Sequence, residues 1–508
     1  MTAFSAALVQ SQPDEIALAD ANSQYSWREL DDTVNRLVNG ILALDLGPER
    51  RIAVFAENSA RAALAHIGGL LAGASVVPIS FHLTADEVAY ILDDAGVSVV
   101  FVDEATCERG LQAAAASKAH TVIGWSGEQA KPGYLDWDRW LAGNAATEPP
   151  TDMPPLPNLL YTSGTTGRPK GTPLPPNTFA GGSNIIEHLE LMAANAFVPE
   201  GTQLMVGPMY HTGPLGSVRA LVYGRPLVIL GRFDAEATLH AIDKYRVRFT
   251  IMVPTHFVRM LALPQEVRDR YDLSCLERIA HTGAKCPVDV KRAMIEWVGP
   301  VLFEAYGASE VGVTNSITSE EWLLHPGSVG MAVEPFEALI LDDDDQPLPA
   351  NQEGRLYFRD HSGRGVVYHN APEKTAAAHI APGVFTLGEI GYVDNDGYVY
   401  ITDRFSDMVV SGGVNIYPAE SEQILVNHPA VSDVACIGIP NPEMGEELRA
   451  LVILHNPDVE PDTTELLDYC RERLSHYKCP RTLEYVSDLG RNTMGKINKR
   501  QLKAAYWA

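Results

Sequence analysis

The sequence is poor in cysteine, in basic residues and in uninterrupted apolar stretches, and each shortage removes a class of protein. Its six cysteines, Cys107, Cys275, Cys286, Cys436, Cys470 and Cys479, form no CxxC pair and no Cys/His cluster of zinc spacing. That excludes a disulfide framework and a structural zinc, and predicts reduced thiols. Lysine and arginine number 39 against 65 acidic residues, a net charge of −26. A field of that sign repels nucleic-acid phosphates and anionic membrane faces, so neither is an expected partner. The opening stretch MTAFSAALVQSQPDE has no basic segment and too short an apolar run for a secretory leader. The most apolar stretch, from Ala62 to Ile79, carries His66 and several glycines. It reads as a buried helix followed by a strand and not as a membrane span. The expectation is a soluble, cytoplasmic protein.

What is present is an ordinary globular composition. Of 508 residues, 46% are hydrophobic and 20% charged, which fits two or three folded domains and excludes disorder. Ser26-Trp27-Arg28-Glu29 fits a capping box, and Leu30, Val34, Leu37, Val38 and Ile41 follow at helical spacing. Apolar strands at 52–56, 76–80, 97–103 and 121–125 alternate with helices at 59–72, 84–95 and 105–118. A second series of strands, at 226–231, 249–254, 278–283 and 301–307, has helical segments between its members. Both series predict βαβ units and parallel sheets covered on both faces.

Residues 326–402 turn to strands and turns, and the run Asp342 to Asp345 reads as a solvated turn. The last hundred residues mix helices at 418–427 and 463–475 with strands at 434–439, 450–454 and 482–486. The expected fold class is therefore α/β. It comprises a large N-terminal domain of two α/β subdomains plus a β-rich subdomain, residues 1–404, and a small α+β C-terminal domain, residues 405–508.

The strongest chemical signal is YTSGTTGRPKG, residues 161–171. Its four hydroxyls and three glycines surround two cationic residues. Such a loop presents backbone amides and hydroxyls to a polyphosphate, with glycine permitting the close approach. No Walker A register fits it. Residues 490–496 do read G-x4-G-K, but Ile497 follows, and isoleucine cannot ligate Mg²⁺.

YTSGTTGRPKG resembles the phosphate-loop signature of the adenylate-forming (ANL) superfamily of acyl-CoA synthetases, nonribosomal adenylation domains and beetle luciferases. Colinear stretches extend the resemblance from 161 to 499. PMYHTGP (208–214) is similar to the acid-pocket segment, TGAKCP (282–287) to the adenine-wall segment and EAYGASE (304–310) to the tyrosine–glutamate motif. The stretch 386–418, with TLGEIGYVD and ITDRFSDMVVSGGVNIYP, resembles the ribose-binding and hinge region. RNTMGKINK (491–499) resembles the loop of the catalytic lysine.

The resemblance implies attack of a carboxylate on the α-phosphorus of ATP, giving an acyl-adenylate and pyrophosphate, with Mg²⁺ as cofactor. In that scheme Lys496 bridges the two anions and Glu310 holds Mg²⁺ with Thr166 nearby. Thr162, Ser163, Gly164, Thr165, Thr166, Gly167, Lys170 and Ser309 bind phosphate. Gly283, Ala284, Lys285, Glu304, Ala305, Tyr306 and Gly307 bind adenine, and Glu389 and Arg404 bind ribose. His211 and Gly213 line the acid pocket. Four positions depart from the family pattern: Ser309 stands where threonine is common, Glu389 where aspartate is usual, Ser406 occupies the hinge slot usually held by Asp or Lys, and Val414 replaces a frequent glutamate. Rotation at Ser406 would swing the mobile C-terminal domain, withdraw Lys496 and let a pantetheine arm pass Ser411, Gly412 and Gly413.

The implied product is acyl-CoA, with a small-molecule carboxylic acid and CoA as substrates. Two alternatives remain: adenylation alone, with the acyl group handed to a separate carrier protein or partner enzyme, and a nucleotide-binding regulator without catalysis. The absence of a carrier-protein module and the short stretch after Lys496 favour CoA. Segments 207–216, 254–260, 281–286 and 304–313 are apolar and rich in small residues. They predict a hydrophobic acid, with no basic cluster for a charged second end.

Overall fold

The computed structural model describes residues 3–125, 133–162, 169–194, 197–404, 407–411, 414–441, 444–474, 476–491 and 497–507. The predicted capping box is present: the Ser26 hydroxyl accepts from the Glu29 amide, and the Glu29 carboxylate accepts from the Ser26 amide at 2.9 Å. The helix it starts, Trp27–Leu42, buries the predicted apolar stripe.

The first strand series forms a five-stranded, all-parallel sheet. Its order is Ser75–Pro78, Arg51–Phe55, Val99–Asp103, Thr121–Trp125 and Tyr134–Asp136. The second forms the parallel centre of a nine-stranded sheet, in which Leu227–Ile229, Gln203–Met205, Phe249–Met252, Arg278–His281 and Leu302–Ala308 lie side by side. Ile16–Ala19 joins that sheet in parallel beside Leu227–Ile229. The sequence gives no hint of this crossover, because a four-residue strand pairing with one two hundred residues away has no local signature.

The helix Ala60–Leu71 is apolar all round because it is buried all round. It shares one core with Ile52 and Val76 of the first sheet and Met205 and Leu227 of the second. The two α/β units are thus joined through a common helical layer. None of the described helices is long and apolar enough to cross a membrane.

A third sheet is antiparallel, formed by Phe336–Leu341, Gly354–Asp360, Val384–Val393 and His379–Ala381, with Val399–Arg404 paired to Val384–Val393. Residues 392–401 form a hairpin within this sheet, with the Tyr392 and Tyr400 rings stacked at 4.7 Å. Asp342 takes the amides of Asp344 and Gln346, which makes the aspartate run a turn. The third sheet ends at Arg404 and the fourth begins at Val409. The fourth sheet, Val414–Ile416, Val409–Ser411, Gly445–Leu454 and Val431–Asn441, takes Thr482–Tyr485 in parallel beside Gly445–Leu454. Helices Pro418–Leu425 and Thr463–Arg471 pack with it around Val434, Val452 and Leu466.

Candidate functional site

The hydroxyl-rich signature occupies the end of a β-hairpin. Leu159–Thr162 and Lys170–Pro173 pair antiparallel, with Thr162 opposite Lys170, so the stretch between them is held by its two ends. Ser163, Gly164, Thr165, Thr166 and Gly167 lie outside the described residues. The hairpin is fixed from outside: the Tyr161 hydroxyl donates to Asp94 at 2.6 Å, and Arg364 donates to the Pro173 carbonyl at 3.2 Å.

Glu310 meets this hairpin. The Thr162 hydroxyl donates to its carboxylate at 3.3 Å and the Tyr368 hydroxyl to the same oxygen at 3.4 Å. Arg364 also donates to the Glu310 backbone carbonyl at 2.9 Å, so one guanidinium ties hairpin and glutamate together. Lys170 rests with its ammonium 4.9 Å from the Tyr368 ring centre. Burial, with the nearby Lys374 charge, pulls the Lys170 ammonium below the ordinary lysine value, while Glu310 opposes that shift. Arg364 and Tyr368 were not singled out in the sequence, since neither stands in a recognisable motif.

Ser309 connects the same corner to the His211 segment, its hydroxyl lying 2.8 Å from that of Thr212. His211 is the N-terminal cap of the helix Thr212–Leu221, and its ring lies 4.5 Å from that of Tyr210. Gly213 faces Ile251: a Cβ there would lie 3.2 Å from the isoleucine methyl. At Gly216, one turn on, an added Cβ would meet nothing within 4 Å. The helix therefore borders open space.

The adenine candidates lie at the carboxyl ends of neighbouring strands. Gly283 (φ 89°), Ala284 and Lys285 follow Arg278–His281, and Lys285 donates to the Ile401 carbonyl of the third sheet at 3.2 Å. Ala305, Tyr306 and Gly307 lie on Leu302–Ala308, where the Tyr306 ring packs tilted against Phe358 at 6.2 Å. Gly307 is needed as glycine, because any Cβ would collide with the Gly312 carbonyl. Glu304, the first adenine candidate on this strand, has partners of its own. Its carboxylate is buried and bonded to the Lys291 ammonium at 2.6 Å, with the His281 ring at 3.6 Å. Burial raises the Glu304 carboxyl and lowers the Lys291 ammonium from their ordinary values.

Glu389 and Arg404, the ribose candidates, are direct partners across the antiparallel pair Val384–Val393 and Val399–Arg404, and Glu389 is buried. The neighbouring Asp403 accepts the Ala419 amide at 3.0 Å and so ties the third sheet to the first turn of Pro418–Leu425. Ser411 is buried opposite Gly445. Ser406, Gly412, Gly413 and Lys496 lie outside the described residues. The described residues on either side of Lys496 have charged partners. Arg491 makes a two-pronged bond to Asp433 at 2.5 and 2.6 Å, and Lys499 pairs with Glu422 at 2.8 Å. Burial alone would lower the Lys499 ammonium; the charges of Glu422 and Asp403 raise it well above the ordinary value. The GK-I-x-K spacing contained Lys499, and only the fold shows its partner.

Known proteins share this arrangement. The AMP-binding enzyme family matches residues 5–366, and the AMP-binding enzyme C-terminal domain matches residues 420–496. A methyl-dioxo-octahydroindenyl-propanoyl:CoA ligase of Mycobacterium tuberculosis is 32% identical, over 98% of this chain and 97% of its own. A long-chain-fatty-acid–CoA ligase of Bacillus subtilis is 29% identical, over 96% of this chain and 91% of its own. The solved structure of o-succinylbenzoate CoA synthetase from Bacillus subtilis, in complex with its acyl-adenylate intermediate, matches with a TM-score of 0.78 and 25% identity. That match covers 99% of this chain and 98% of the other.

Proposed function

Because the chain belongs to the AMP-binding enzyme family and is an acid-activating ligase of the acyl-CoA synthetase kind, we propose that it adenylates a largely apolar carboxylic acid and passes the acyl group to CoA. The observation that carries this reading is the Thr162–Glu310 bond at the mouth of the phosphate hairpin. It puts a carboxylate beside a loop built for polyphosphate, while the Ser309–Thr212 contact sets the His211 segment against the same corner.

In the first step a carboxylate oxygen of the acid bonds to the α-phosphorus of ATP. The bond from that phosphorus to the bridging oxygen breaks, and pyrophosphate leaves. Two anions meet, so fixed donors and a cation must hold the developing charge. Lys496 is the proposed cation, and Ser163 to Gly167 with Lys170 the proposed phosphate grip. Glu310, contacted by hydroxyl donors, is a hard oxygen ligand that suits Mg²⁺. With Thr166 it would hold the ion, whose chemistry is neutralisation of phosphate charge. Gly283 to Lys285 and Ala305 to Gly307 would wall the adenine, with Glu389 and Arg404 on the ribose hydroxyls.

In the second step the CoA sulfur bonds to the acyl carbon, the bond to AMP breaks, and the thiol proton leaves to solvent. Ser411, Gly412 and Gly413 would line the arm's approach after rotation at Ser406. The acids in the names of two relatives, a long fatty chain and a bicyclic propanoyl group, support an acid with an apolar body. Six cysteines without a disulfide support a cytoplasmic setting.

Pyrophosphate and thioester, measured separately over a panel of acids with ATP and CoA, test the reading. Both products are expected. Pyrophosphate without thioester would assign the acyl group to a carrier protein or partner enzyme. Bound nucleotide with neither product would make the chain a regulator.

A further inference from the structure

Arg219 is 6% exposed, on a helix whose neighbouring residues Ser217, Val218, Ala220 and Leu221 are all buried. Its Nε and Nη1 have no hydrogen-bond partner, and no carboxylate among the described residues faces it. Burial brings the guanidinium down to about 10, which leaves it charged at neutral pH. Two other buried polar groups share this place. His66, 4% exposed on the common helical layer, has an unpartnered Nδ1, and fully buried His188 has an unpartnered Nε2. The Arg219 charge reaches both imidazoles. His188 Nδ1 is already engaged with the Gly181 carbonyl at 2.6 Å.

A lone buried cation is expensive, costing several kcal/mol unless something compensates it. Tyr223 opposes the shift, but burial raises its hydroxyl and keeps it neutral; no anion among the described residues answers the charge, so one is to be sought in a ligand. The helix supplies the route. Thr212, Gly216 and Arg219 stand at i, i+4 and i+7, on one face. Thr212 touches Ser309 at the proposed catalytic corner, Gly216 borders open space, and Arg219 lies about 10 Å further along the axis. Helical side chains lean toward the N-terminus, the direction in which that opening lies from Arg219.

Resting on the adenylation reading above, we propose that the acid substrate carries a second oxygen acceptor, best an anionic one, at the end remote from its reacting carboxylate, and that Arg219 binds it. His66 and His188 flank that end of the pocket. The sequence expectation of no basic cluster for a charged second end was drawn from four segments, the first of which stops at Gly216, three residues short of Arg219.

Three acids on one eight-carbon skeleton, which spans roughly 9 Å when extended, test this: octanoate, its ketone at the penultimate carbon, and octanedioate. Pyrophosphate release by the full-length enzyme should rank them octanedioate, ketone, octanoate. The kcat/KM of the first should exceed that of the last by about 10²-fold, the scale at which a site built for a polar group rejects an analogue lacking it. Arg219→Met should abolish or invert that ratio. Octanoate equal to or better than octanedioate with the unaltered enzyme would overturn the assignment, as would an unchanged ratio in Arg219→Met. If Arg219→Met does not fold, Gly216→Val replaces it. Closing the open space should lower octanedioate turnover at least tenfold more than that of butanoate, and equal losses would overturn the route. Release with butanoate but no discrimination among the eight-carbon acids overturns the distal-oxygen assignment alone. No release with any acid overturns the adenylation reading itself, and this inference with it.

Discussion

Lys499 pairs with Glu422 at 2.8 Å, three residues after Lys496. Glu422 lies on the helix Pro418–Leu425, whose first turn is tied to Asp403 of the third sheet. The pair, with Arg491 on Asp433 at the other end, fixes the two ends of the stretch that carries the proposed catalytic ammonium.

Lys496→Ala should lower pyrophosphate release by about 10²–10³-fold, the cost of removing a charge-stabilising donor. Thioester formation from supplied acyl-adenylate should fall far less, because the proposed scheme withdraws the lysine before that step. Lys499→Met should lower pyrophosphate release about tenfold by loosening the loop. The double variant should be no worse than Lys496→Ala alone, since both losses act through one group. Additive losses in the double variant would count against a positioning role for Lys499.

Glu310→Gln keeps the shape of the side chain and removes its charge. Pyrophosphate release should fall about 10²-fold, and the Mg²⁺ concentration for half-maximal rate should rise. Tyr368→Phe removes only a 3.4 Å hydrogen bond to Glu310 and should cost a few-fold. A Mg²⁺ titration of both variants checks the order; unchanged Mg²⁺ dependence in Glu310→Gln would remove the metal role from this residue.

The parallel sheets were legible in the sequence because their strands are short apolar runs separated by helical periodicity, and residues 121–125 match the observed strand in full. Composition singled out residues 161–171 as a proposed phosphate loop, but not the antiparallel pairing of Leu159–Thr162 with Lys170–Pro173 that flanks it. What escaped depends on distant pairing. Glu389 and Arg404 were each proposed for ribose, but their direct opposition is a matter of register, which no local pattern encodes. Glu304 reads as part of a motif, while its partner Lys291 sits on a helix thirteen residues earlier and shows no sign of burial in its neighbours. Arg219 escaped for a related reason, because sequence marks a charge without telling whether anything answers it.

His256 gives the stability a defined pH dependence. The ring is 7% exposed, stacked 3.9 Å from the Phe233 ring, and held at about 4 by burial and by the Arg259 charge. In the unfolded chain a histidine titrates near 6.5. Between those values the unfolded state takes up the proton first, so stability is full above about pH 6.5 and falls as pH drops toward about 4. At about pH 5 the loss from this residue is about 2 kcal/mol. His256→Gln should flatten the Tm profile between about pH 7 and about pH 5 relative to the unaltered protein. A parallel profile would mean that other buried groups carry the dependence.

The Lys291–Glu304 pair allows a sharper test, because the two charges compensate each other where neither could stand alone. Lys291 is fully buried and Glu304 nearly so, and the Lys291 ammonium also lies 4.8 Å from the Trp322 ring centre. Lys291→Met removes the cation and leaves a buried carboxylate with no direct ion-pair partner: the His281 ring beside it is neutral, held well below its ordinary value by burial, and the Lys285 charge acts only as a smaller influence. Breaking such a pair from one side costs about 3–5 kcal/mol. Lys291→Met/Glu304→Gln discharges both partners and should recover most of that loss, as apolar or neutral replacements of buried ion pairs often do. Urea unfolding midpoints of the two variants measure the difference. If the double variant is as unstable as the single one, packing around Trp322 and not the unpaired charge sets the cost. Recovery in the double variant would leave the strand Leu302–Ala308 intact with the Glu304 charge gone, and its ATP affinity would then report whether Glu304 contributes to the nucleotide at all.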